Sequence, residues 1–86
     1  MTQRTASRLR VAAKRLGIGP TALAQAGGVK VATVYTHLSG KSQPGVLVAL
    51  GYCRLLNRIN DAWPEESRPL KPGELTPEAL FGNGRG

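Results

Sequence analysis

Glycine and proline cut the first 62 residues of this chain into four short segments, and that division constrains the fold more than any other feature. Gly17 closes the first segment and Gly19-Pro20 opens the second. Gly27-Gly28 breaks the second, Ser39-Gly40 ends the third, and Pro44 opens the fourth. Glycine takes the left-handed conformation that ends helices, and proline at a first helical position forfeits no internal hydrogen bond. Between the breaks, apolar residues recur at helical spacing. Leu9, Ala12, Ala13 and Leu16 stand at i, i+3, i+4 and i+7, which predicts a helix over about 5–16. A second, short helix over 20–26 turns Leu23 inward and carries the small Ala24.

The third segment, 30–38, is ambiguous by pattern alone, because Val31, Thr33 and Val34 are β-branched and Val29–Tyr35 could form a strand. The short distance between glycine breaks favours a helix, as does the one-turn separation of Val34 and Leu38. The fourth segment predicts a helix over 44–62 with a wide apolar face of Val46, Leu47, Leu50, Cys53, Leu55 or Leu56, and Ile59. Gly51 inside it costs about 1 kcal/mol relative to alanine and permits close packing. From Trp63 the composition changes, with Pro64, Pro69, Pro72 and Pro77 interrupting the chain. Thr76-Pro77-Glu78 has the capping residue, proline and early acid of a single helical turn over 77–81. The expected organisation is all-α: a four- to five-helix domain over 1–62 and a proline-rich extension over 63–86 with a disordered end. The loop 41–43 is polar and there is no internal repeat.

Charge restricts the function. Residues 1–60 carry nine arginines and lysines and no aspartate or glutamate, whereas all five acids lie in 61–86; the net charge is +7. A folded unit without a carboxylate cannot neutralise its own surface and attracts a polyanion through phosphate contacts and counterion release. Catalysis finds no support in the residues. There is no nucleophile triad, paired carboxylate, phosphate loop or metal-ligand spacing, and His37 stands alone, read as a partly buried neutral imidazole in preference to a phosphate ligand. No cofactor is expected. Cys53, the single cysteine, reads as a small buried thiol. The basic N-terminus lacks the apolar run of a secretory signal, and the longest apolar run, Val46–Leu50, is too short for a bilayer. A cytoplasmic protein without membrane contact is expected.

The stretch GIGPTALAQAGGVKVATVYTHLSGKSQP, Gly17–Pro44, resembles the Cro-like, lambda-repressor-like helix-turn-helix family, also called XRE-type. Leu23-Ala24, Gly28-Val29, Val34, Gly40-Lys41 and Pro44 fill the places of the family run, and the resemblance covers about 5–58. Pro20 stands where the family often has glutamine. Ala13 and Leu38 stand where many members pair an arginine with a glutamate.

The resemblance implies that the 30–38 helix enters the major groove of DNA. Val31, Ala32, Tyr35 and Thr36 would then face base edges, with Thr33 at the groove edge. Val31 and Ala32 would pack against thymine methyls, while Tyr35 and Thr36 would donate and accept hydrogen bonds. Phosphates would be met by Thr21, Gln25, Lys30, Lys41, Ser42 and Gln43, with Arg8 and Lys14 as further candidates. A binder this small gains affinity by dimerising, so the expected partner is an operator-like duplex bound by a homodimer acting as a repressor. Leu55, Ile59, Trp63, Leu70, Leu75, Leu80 and Phe81 have no evident core and either form the dimer interface or fold back on the domain. The alternative function is an antitoxin or interaction module with secondary DNA binding, which would bring in a second regulatory protein as partner.

Overall fold

Four α-helices followed by three short helical turns make up the computed structural model, which describes residues 8–82. No strand occurs among the described residues. Helix α1, Arg8–Leu16, buries the four residues of its apolar stripe, Leu9, Ala12, Ala13 and Leu16; residues 5–7, the expected first turn, lie outside the described residues. Helix α2, Pro20–Gly27, begins on its proline and buries Leu23 and Ala24. It ends at Gly28, whose φ of 69° lies in the left-handed region, and the Gly28 N–H donates to the Ala24 carbonyl. Helix α3, Val31–Leu38, resolves the strand-or-helix ambiguity in favour of a helix and buries Val34 and His37. Helix α4, Val46–Asp61, begins two residues later than expected, with Gly45 as its extended N-cap.

The buried stripe of α4 differs from the sequence expectation. It consists of Ala49, Tyr52, Cys53, Leu56 and Asn60, while Val46 and Leu47 are 76% and 83% exposed. The run Val46–Leu50 spans more than half the helix circumference, so only one side of it can face the core. The side chosen is the one that carries Tyr52 and Asn60 to partners inside. Gly51 does permit close approach: a β-carbon there would collide with the Ala26 carbonyl of α2. At Gly27 a β-carbon would lie 2.8 Å from Tyr52 Cε1. Two glycines therefore let α2 settle on the α4 backbone.

The segment after Trp63 folds back on the domain. Leu70, Leu75 and Leu80 are buried in the same core as α1 and α4. Of the two alternatives open for these three leucines, dimer interface or fold-back, their burial in the chain's own core fits the fold-back, and their apolar area is already spent within the chain. Polar clamps fasten the segment. The Asn60 side chain, 1% exposed, donates to the Leu70 carbonyl at 2.7 Å and accepts from the Leu70 N–H at 3.1 Å. Asn57 Nδ2 donates to the carbonyls of Cys53 at 2.8 Å and Leu75 at 3.1 Å. Arg8 on α1 donates to the Ala79 carbonyl at 3.0 Å. The expected single turn near 77–81 is present as a wider helical turn, Glu78–Gly82, and Thr76 Oγ1 accepts from the Ala79 N–H at 3.1 Å. Residues 83–86 lie outside the described residues. No helix among the described residues is long and apolar enough to cross a membrane.

Candidate nucleic-acid interface

Helix α3 is held from beneath and left open above. Val34 is fully buried, and the buried His37 is hydrogen-bonded through Nδ1 to the Tyr52 hydroxyl of α4 at 2.8 Å. The two rings also meet edge to face, with centroids 5.7 Å apart. Burial lowers the His37 pKa below its ordinary 6.5 and raises that of Tyr52, so the tie is one between neutral groups. With Val34 and His37 one turn apart on the inner side, the opposite side of α3 is open. Tyr35 is 57% exposed and Val31 37%, and Ala32 is exposed between them.

Thr33 and Thr36 are half-buried. The Thr36 hydroxyl donates to the Thr33 carbonyl at 2.7 Å and accepts from Ser42 Oγ at 3.1 Å. Its proton is therefore committed within the chain, and what it offers outward is a methyl and a remaining lone pair. The N–H groups of Lys41 and Ser42 both donate to the Thr36 carbonyl, at 3.0 and 3.4 Å, and Gly40 adopts φ 81° to turn the chain there. That wrap brings Lys41 and Ser42 to the C-terminal end of α3, both exposed, with Gln43 next along the chain. Lys30, also exposed, stands at the other end as the N-cap of α3, and Thr21 is exposed in the first turn of α2.

The remaining candidates lie apart from this set. Gln25 lines a groove of about 400 Å³ between α2 and α4 together with Arg54 and Arg58. Arg8 and Lys14 are on α1, where Arg8 is tied to the C-terminal segment and lines, with Arg15, a second cavity of about 400 Å³ against Leu70 and Leu80. None of the first turns of α1 to α4 holds an acidic residue. Nothing there competes with an anion for the positive ends of the helices.

Sequence reasoning overlooked Tyr52, which fastens α3 to α4, and the clamps Asn57 and Asn60. A signal for Asn60 was present, since it falls one turn beyond Leu56 on the inward stripe. An amide there demands partners. Cys53 is buried, and burial, with the nearby Glu78 carboxylate, pushes its thiol up to about 11. That is the behaviour of an inert core thiol. No cluster of three or more potential metal ligands occurs among the described residues.

No family model, curated protein or solved structure matches this chain. The functional reading therefore rests on the geometry and charge of the site itself.

Proposed function

We propose that this chain is a sequence-specific DNA-binding protein in which α2, the Gly28 turn and α3 act as a helix-turn-helix. The observation that carries the reading is the open face of α3, with Val31, Ala32 and Tyr35 outward, on a scaffold whose first 60 residues hold no carboxylate. A helix of this kind fits the major groove, where small apolar side chains meet thymine methyls and Tyr35 reads polar base edges. Lys30 at one end of the helix and Lys41 with Ser42 at the other are spaced to grip phosphates on either side of the groove. Thr36 contributes through its methyl group and as an acceptor.

The chain acts in the cytoplasm as a transcriptional regulator, a repressor that occupies its operator as a homodimer. Two-fold symmetry in the protein is matched by a near-palindrome with half-sites about 34 Å apart, one turn of the duplex. Selection of bound duplexes from a randomised pool tests this directly. Enrichment of one palindromic motif, protected in a footprint of DNA upstream of the chain's own gene, is expected. A pool that stays random through successive rounds at physiological salt would refute the proposal.

A further inference from the structure

The buried leucines leave the proposed homodimer without its expected apolar interface, and the groove between α2 and α4 offers another. Ala22, Ala26, Gly51 and Leu55 give it a floor of small and apolar residues, Gln25 also lines it, and Arg54 and Arg58 stand exposed at its edge. Immediately after it along the chain comes a feature of opposite character. Trp63 is 41% exposed, with the exposed carboxylates Asp61, Glu65 and Glu66 around it. This projection is built and held. Arg68 donates to the carbonyls of Trp63 and Asp61, both at 3.3 Å, and the turn Glu65–Ser67 follows.

We infer that the groove receives the Trp63 projection of a second copy of this chain, and that the contact is reciprocal. This deepens the dimeric reading above and rests on it. The groove and the projection share one end of α4, so an antiparallel crossing of two α4 helices about a two-fold axis near Ile59 seats both at once. In that register Trp63 of each copy lies over Leu55 of the other. Asp61 faces Arg58, and Glu65 and Glu66 approach Arg54. A contact between identical surfaces needs both charges within one patch, and this patch has them, cations first and carboxylates one to three turns later. A duplex backbone would use Arg54 and Arg58 but has no use for the apolar floor or for an exposed indole beside three carboxylates. Of the seven residues expected to form the interface or fold back, Leu70, Leu75 and Leu80 are in the core and Phe81 packs against it, which leaves Leu55, Ile59 and Trp63 for this contact.

Sedimentation equilibrium of the full chain without DNA tests the pairing. Trp63 is the only tryptophan, so its emission reports the same event independently. The chain is expected to dimerise, with emission shifting to the blue as concentration rises and the dimer weakening as salt increases. Trp63→Ala should weaken the dimer by roughly thirtyfold or more. Arg58→Asp should weaken it by about tenfold, and adding Asp61→Arg to that variant should restore it. All three side chains are exposed, and circular dichroism checks that each variant folds. A wild-type chain that stays monomeric, or a dimer indifferent to Trp63→Ala and to Arg58→Asp, overturns the proposal. Failure of the DNA reading looks different: the dimer forms and responds to the variants as described, yet selects no duplex.

Discussion

Residues 8–60 and 61–82 belong to one core but are built by different rules. The first region is cationic and is fitted together by glycines and aliphatic side chains. Gly51 and Gly27 let α2 rest on α4, and Gly28 turns the chain into α3. The second region carries the acids and is fastened by polar clamps, with Asn60 and Asn57 on its backbone and three leucines beneath. On the proposed function, the difference separates stability from recognition. The C-terminal segment contributes to holding the fold, whereas α3 keeps its outer face free of internal duties. Substitutions in the first class of position should therefore cost stability, and those on the open face of α3 should cost binding alone.

The largest expected effect tests the leucines. Leu75 is 1% exposed, and Leu75→Ala should destabilise the fold by about 3 kcal/mol in urea denaturation, as for other large core truncations. A change below about 0.5 kcal/mol, the range of surface substitutions, would mean that the segment is not part of the core. Next in size is Asn60→Ala, which leaves the Leu70 N–H and carbonyl without their partner; a loss of about 2 kcal/mol is expected by the same measurement. If Asn60→Ala proves neutral while Leu75→Ala does not, the segment is held by its leucines alone and the contrast between the two regions weakens.

A smaller effect tests the tie beneath α3. Burial lowers the His37 pKa in the folded chain, so the unfolded chain takes up a proton more readily there. The stability that neutral His37 contributes is present above its unfolded pKa, near 6.5, and is lost as pH falls below that value toward the depressed folded one. The urea midpoint should therefore drop between pH ~7 and ~5.5 in the wild type and drop less in His37→Gln, which retains a polar partner for Tyr52. Parallel pH dependences in the two proteins would remove His37 from this role. Smallest of all is Lys41→Ala. It should leave the melting temperature unchanged and reduce the dependence of log K on log salt by about one unit on any duplex. An unaltered slope would take Lys41 out of the phosphate set.

Much of this was legible in the residues. The four helices follow from glycine and proline punctuation joined to a 3.6-residue apolar period, and the α1 stripe is buried as its spacing implies. Where spacing fails, a physical competitor explains the failure. Val46–Leu50 is apolar nearly all round, so periodicity could not choose its inner side; Tyr52 and Asn60 chose it. The leucines at 70, 75 and 80 follow no helical or strand period, being separated by prolines, so their burial depends on long-range clamps that local pattern does not encode. At the candidate site, the exposure of Val31, Ala32 and Tyr35 follows from the placement of Val34 inside. The commitment of the Thr36 hydroxyl does not, because it depends on how the loop at Ser42 returns over the helix.

The most direct measurement compares wild type and Tyr35→Ala on the selected operator duplex and on an unrelated duplex of equal length, at one fixed salt concentration. Tyr35 is 57% exposed and supports nothing in the core. A loss of about 1–3 kcal/mol on the operator, with affinity for the unrelated duplex and the thermal melt both unchanged, is the expected result. Equal losses on the two duplexes, or none on either, would contradict the reading of α3 as the helix that reads sequence.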